Sequence, residues 1–400
     1  HSVGPLCRLF FFAFPYESSV EDTTDRSKKY KYDLLFTIHH AISEGINSHM
    51  LIIQLLDIID KTLKGIDCSN EKKYEVLPGV DELYFDDFRL NNTHVKCRDM
   101  SSMIYRPDFI DRERAKKNSF VPFQSVSSED LGKVSIKSIE SNLNTDGIIT
   151  IQYISLKDLI EETKDHIGIK RFTLDEADST KLLSLSKHHK CKMNAILNIL
   201  IGFAVSKFFN DHNYKSKLND KANYLIYFNP ICLRQFPTNN PTVKITSIDH
   251  LTAGYYVSWF LAEKVIPDSV SNPDSFDSAL FWQLAREDMI ASQERIKCGD
   301  YMCPPSDPKD ENTILSHFGL SNLGAVPSTL RVDSSLKALN SYLEISMSSD
   351  SSDEYCFFEF LTATIDNKLN FSILTNSFLF DTEFVNEILN NFENFVKNLQ

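Results

Sequence analysis

The chain has 400 residues, 42% hydrophobic and 24% charged, enough for two lobes that each bury a core, and outside the composition of disordered chains. Its formal net charge of -13 repels a nucleic-acid backbone or an anionic membrane surface on average, so neither partner is expected. No stretch reads as membrane-spanning: the longest apolar run, 195–209, is interrupted by Asn198, Ser206 and Lys207 and falls short of the ~20 residues a span needs.

In chain order, residues 7–14 are aromatic and apolar and predict a buried strand, with no basic lead-in or cleavage site of a signal peptide. Residues 17–31 are polar and predict a loop, and 32–39 a second strand that would pair with the first. Apolar positions Met50, Ile53, Leu56, Ile59 and Leu63 predict a helix over 46–63, with Gly45 at the turn before it. Residues 68–134 have weak periodicity and stay unassigned. Strands follow at 147–154 and 170–174, then an acid-started helix at 175–189 and a more hydrophobic, packed-in helix at 193–210. A strand at 223–228 runs into Asn229-Pro230-Ile231-Cys232-Leu233-Arg234. A long helix covers 274–297, and a strand at 313–321 leads into Asn322-Leu323-Gly324. Strands at 356–365 and 368–375 flank Asp366-Asn367, a two-residue hairpin signal, and an amphipathic helix closes the chain at 381–399. Residues 348–354 form the one low-complexity stretch, a solvated acidic loop. The mixture is α/β (α+β mixed), with a lobe boundary near 168.

The eight cysteines (Cys7, Cys68, Cys97, Cys191, Cys232, Cys298, Cys303, Cys356) are scattered. Only Cys298 and Cys303 lie close together, and no second pair completes a zinc set, so free thiols of a cytoplasmic protein and no metal site are expected. Glycosylation-type triplets at Asn91-Asn92-Thr93 and Asn370-Phe371-Ser372 carry no weight without a secretion signal. His188-His189 reads as a polar helix end.

The informative stretch is His39-His40-Ala41-Ile42-Ser43-Glu44-Gly45, where a strand turns into a helix. A histidine at the end of a buried strand is fixed yet reachable, and its ordinary pKa of about 6.5 lets it take and return a proton near neutrality. Acyl transfer from a thioester to a hydroxyl needs such a base, together with donors for the oxyanion.

His-His-x-x-x-Glu-Gly resembles the H-H-x-x-x-D-G motif of the chloramphenicol-acetyltransferase-like superfamily. That group includes alcohol acetyltransferases, peptide-synthetase condensation domains and wax-ester synthases. Further landmarks follow in the family's order. Gly4-Pro5-Leu6-Cys7-Arg8 is similar to the strand start before the motif, and Arg171-Phe172-Thr173-Leu174-Asp175 through His189 resembles the opening of the second lobe. Asn229 to Arg234 is similar to an N-x-x-x-L-R-like segment, and Leu320-Ser321-Asn322-Leu323-Gly324 to an S-N-x-G segment. Two departures stand out: Glu44 replaces the usual aspartate, and only 38 residues precede the motif.

The resemblance implies two related lobes with a tunnel between them: an N-terminal lobe at 1–168 that lacks its first strands, and a C-terminal lobe at 169–400. It implies His40 as general base and His39 as support of the loop. Glu44 and Gly45 would form the turn, with Glu44 in a structural ion pair with Arg234. Ser321 and Asn322 would lie beside the tunnel near the oxyanion. The implied enzyme is a monomeric acyltransferase with no bound cofactor, using acyl-CoA as co-substrate and a small alcohol or amine as acceptor. The alternatives are a condensation-type domain fed by carrier-protein thioesters, and a catalytically silent relative that binds an acyl ligand or a partner.

Overall fold

Alternating and continuous apolar runs separate by period into strands and helices, and the computed structural model follows those periods closely. It describes residues 7–15, 30–38, 43–68, 104–105, 137–139, 151–153, 168–212, 222–236, 256–267, 276–299, 313–314, 316–342, 356–375 and 382–400. His39 and His40, most of the polar stretch 17–31, the triplet at 91–93 and the acidic stretch 348–354 lie outside the described residues.

Contacts sort the chain into two compact units that are not contiguous in sequence. One unit is His1–His94, Ile231–Ser258 and Val326–Leu339, and the other is Val95–Pro230, Trp259–Ala325 and Asn340–Gln400. Residue 168 falls within the second of these.

In the first unit, β1 (Cys7–Pro15) and β2 (Tyr30–Ile38) pair antiparallel, Cys7 opposite Ile38 and Pro15 opposite Tyr30. Helix α1 (Gly45–Leu63) follows. Segment 326–339 packs on this helix through polar anchors, described below.

The second unit is built on a six-stranded mixed sheet of β6 (Gly168–Thr173), β12 (Lys368–Thr375), β11 (Cys356–Ile365), β10 (Ser316–Ala325), β7 (Ala222–Cys232) and β8 (Val257–Pro267), in that order. β10 runs parallel to both β7 and β11, whereas β11–β12 and β12–β6 are antiparallel. Asp366 and Asn367 take φ of 46° and 64°, the left-handed pair that a tight two-residue hairpin requires. Two-stranded pairings join β3 (Ile104–Tyr105) to β9 (Thr313–Ile314), and β4 (Lys137–Ile139) to β5 (Ile151–Tyr153).

The helices of this unit are α2 (Glu176–His188), α3 (Met193–Asp211), α4 (Ser278–Cys298) and α5 (Thr382–Asn398). Two of the four starts have a side-chain cap. Asp175 caps α2 by accepting from the Asp178 N–H at 2.7 Å, and Asp277 caps α4 through the Ala279 and Leu280 N–H groups. α4 ends on Gly299 with φ 78°, where a side chain would be strained. α3 is apolar around its whole circumference and is the centre of the core, packed with Phe358, Phe360, Phe392 and Phe395 from β11 and α5. Among the described residues it is the one helix long and apolar enough to cross a membrane, with mean hydropathy 1.3, and it is mostly buried inside the protein.

Two sequence readings acquire a physical reason here. The triplet Asn370-Phe371-Ser372 lies within β12 with Asn370 and Ser372 both buried, so no glycan can reach it. His189 caps the end of α2 and stacks on Trp282, ring centroids 3.8 Å apart.

Candidate active site

The turn that follows the two histidines is held by a buried carboxylate. Glu44 is the N-cap residue of α1, yet its side chain makes no cap hydrogen bond. Glutamate is a poor cap, being one methylene too long to fold back on its own helix. It reaches instead to the 3-10 turn Leu233–Gln235, where the Arg234 Nε donates to Glu44 Oε1 at 2.5 Å. The Tyr256 N–H donates to Oε2 at 2.9 Å, and the Cys232 thiol lies 3.6 Å from Oε1. The Arg234 guanidinium sits 4.5 Å from the centre of the Tyr256 ring, a cation–π contact that covers it from the other side. The Leu233 N–H donates to the Tyr256 carbonyl at 2.8 Å and joins the two segments that carry these groups.

Glu44 and Arg234 are both 1% exposed. Burial pushes the Glu44 carboxyl above its ordinary pKa, opposed by the attraction of Arg234 and by the hydrogen bonds from Arg234, Tyr256 and Cys232. The Cys232 thiol is pushed up to about 12, first by burial and then by the neighbouring Glu44. A thiol so disfavoured as thiolate is a weak donor to the carboxylate and no nucleophile.

Ser43 buttresses the same turn. Its hydroxyl donates to Asn47 Oδ1 at 2.8 Å and lies 2.7 Å from the Ser48 hydroxyl, all within the first turn of α1. One turn further on, His49 is buried and its Nε2 donates to the Pro327 carbonyl at 3.0 Å. Burial lowers its pKa, so this histidine is a neutral structural donor.

Of the residues singled out from the sequence, Glu44 and Arg234 are in direct contact, and Gly45 opens α1 beside them. Ser321 and Asn322 are on β10 in the second unit. The Asn322 Nδ2 donates to Asn194 Oδ1 at 2.6 Å, and its Oδ1 accepts from the Gly324 N–H at 2.8 Å, so much of this amide shapes the strand end. His39 and His40 lie outside the described residues. Sequence reasoning missed Cys232 and Tyr256 as partners of Glu44. Cys232, two positions before Arg234, was within reach of inspection, whereas Tyr256 contributes a backbone N–H, which no side-chain pattern reveals.

No protein-family model and no curated protein matches the sequence. Solved structures do match in fold. Trichothecene 15-O-acetyltransferase TRI3 from Fusarium sporotrichioides superposes with a TM-score of 0.51 at 11% identity, over 99% of this chain and 70% of that one. The epimerization domain from the third module of tyrocidine synthetase B gives 0.46 at 12% identity, over 92% of this chain and 68% of that one. Polyketide synthase associated protein 5 from Mycobacterium tuberculosis gives 0.45 at 12% identity, over 92% and 74%. The mixed sheet and helices described above are thus those of the chloramphenicol-acetyltransferase-like fold.

Proposed function

We propose that the protein transfers an acyl group from acyl-CoA to a small alcohol or amine, with His40 as general base. The observation that supports this reading best is the buried Glu44–Arg234 pair. It anchors the turn four residues after His40, and a base does its work only where its surroundings hold it against a reacting group. In the proposed reaction His40 takes the proton of the acceptor hydroxyl or amine as that atom attacks the thioester carbonyl. The tetrahedral intermediate then loses the thiolate as the carbon–sulfur bond breaks, and the proton passes from His40 to sulfur. No acyl-enzyme forms and no metal is required. Ser321, and the Asn322 amide hydrogen not given to Asn194, are the proposed oxyanion-side donors.

The test is thiol release from a panel of acyl-CoA donors, with and without simple alcohols and amines, for the wild type beside His40→Ala. Acceptor-dependent release that drops roughly 100-fold in the variant is the expected outcome, on the usual scale for loss of a general base. Near-normal turnover by His40→Ala would remove histidine as the base. If neither protein releases thiol but acyl-CoA still binds, the chain is a silent acyl-ligand binder.

A further inference from the structure

The face of the second unit's sheet that turns away from α3 and α5 carries buried polar groups for which the fold itself has no use. On β11, Phe358 and Phe360 belong to the helix-side core, and the Phe358 ring meets Phe208 of α3 edge-on at 6.2 Å. Strand alternation therefore sends Glu359, between them, to the opposite face. Glu359 is 5% exposed, and its Oε2 has no hydrogen-bond partner. Its register neighbours are Gly319 on β10 and Leu374 on β12.

A second orphan lies on the same face. Ser372 of β12 is fully buried, its hydroxyl has no partner, and it lies diagonally across the β11–β12 pair from Glu359, a separation of about 7–8 Å between backbones. Two buried, unsatisfied oxygens that close together are rare in a folded core, where almost every such atom is paired.

The third wall is aromatic. Gly319 stands opposite Phe228 of β7, and carbons of the Phe228 ring lie 2.1 Å from where a Cβ on residue 319 would be. The ring thus occupies the space over Gly319, next to Glu359, and Trp259 meets it at 6.3 Å between centroids. A carboxyl and a hydroxyl beside an aromatic ring suit an ammonium, which has three hydrogens to give and a charge that aromatic rings attract. A neutral hydroxyl ligand would gain nothing from a carboxyl that an amide could not supply. The carboxyl's distinctive property is its charge, and only a cation offsets that charge in a buried place.

We propose that Glu359 and Ser372 form a binding site for an organic ammonium group, beside Phe228. The recognised nitrogen stays protonated.

Calorimetric titration near pH 8 with aminopentanol and with pentanol, on wild type, Glu359→Gln and Ser372→Ala, tests the site without any acyl donor. Aminopentanol is a cation at that pH. The expected result is that aminopentanol binds the wild type and is weakened at least about 30-fold by Glu359→Gln, the scale of removing one partner of a buried charge pair. A smaller loss is expected for Ser372→Ala, and pentanol should not distinguish wild type from Glu359→Gln. Equal binding of aminopentanol to wild type and Glu359→Gln, or no binding to the wild type, would overturn the site. Thiol release with both acceptors separates the two claims. Transfer to pentanol without aminopentanol binding leaves the transferase and removes the site, whereas Glu359-dependent binding without transfer does the reverse.

Discussion

At the scale of single residues, the extra methylene of Glu44 changes what the turn can hold. It lets one carboxylate reach the Arg234 Nε and the Tyr256 N–H from a helix N-cap position. The pair's worth lies less in net attraction than in what happens when half of it is removed. With Arg234 truncated, the carboxylate stays desolvated with only the Tyr256 amide and a thiol to meet it. We expect Arg234→Ala to cost about 3–5 kcal/mol, the usual penalty for orphaning one member of a buried pair. Glu44→Gln placed in that background should recover part of the loss, because a neutral amide needs no counter-charge. Urea unfolding followed by far-UV circular dichroism measures both, and a cost within about 0.5 kcal/mol for Arg234→Ala would mean the pair anchors nothing. The contact itself was legible from the sequence only through the ordered landmarks, since 190 residues separate its partners and no local pattern spans that distance.

At the scale of elements, α1 is tied to segment 326–339 by a set of charged and polar anchors. Arg331 reaches Asp57 Oδ1 at 2.5 Å and Asp60 Oδ2 at 2.6 Å, one turn apart on the helix. Asp60 also accepts from the Ser335 N–H and hydroxyl, and Lys64 bridges Asp60 and the Asp333 carbonyl. The hydrogen bond from Lys64, with those from Ser335, holds the Asp60 carboxyl well below the usual range. Arg331→Ala should therefore speed amide exchange of residues 328–336 several-fold while β10 and β11 keep their protection, since an element held by few polar anchors opens locally. Unchanged exchange in the segment would show that the bonds from Lys64, Ser335 and His49 hold it without Arg331.

This segment also shows where sequence reading stops. Helices and hairpins with a clear period were readable to within a few residues, α1 and the β11–β12 turn among them. Segment 326–339 has no period to read, because its hold is a set of side-chain bonds to a distant helix. β8 escaped for a different reason: Glu263 and Lys264 interrupt its apolar run in the middle of the strand.

At the scale of the whole molecule, His317 and Glu359 pull the pH dependence of stability in opposite directions, and both tryptophans, Trp259 and Trp282, lie in the same unit as these two groups. His317 is fully enclosed in β10 and its Nδ1 accepts from the Ile226 N–H at 2.9 Å. Burial lowers its pKa from 6.5 to about 3. Between those values the unfolded chain holds the extra proton, so this contribution is complete above pH 6.5 and is lost as pH falls toward 3. Glu359 runs the other way. Burial raises it from 4.5 to about 7, so the folded protein holds the extra proton between them, and stability present below pH 4.5 is lost as pH rises through 7. Each slope is about 1.4 kcal/mol per pH unit, and where the two windows overlap, from 4.5 to 6.5, they cancel. The pair therefore produces a plateau over that range, with a fall on either side. Glu359→Gln should remove this group's share of the alkaline fall, making the variant more stable than the wild type at pH 8 by up to about 3 kcal/mol and little different near pH 4.5. His317→Asn, which keeps an acceptor for the Ile226 N–H, should flatten the acid side instead. Urea midpoints followed by tryptophan fluorescence across this range measure both variants. If Glu359→Gln shows the same alkaline fall as the wild type, Glu359 is ionised without cost in the folded protein. The ammonium site proposed for it would then have lost the electrostatic need that argues for it.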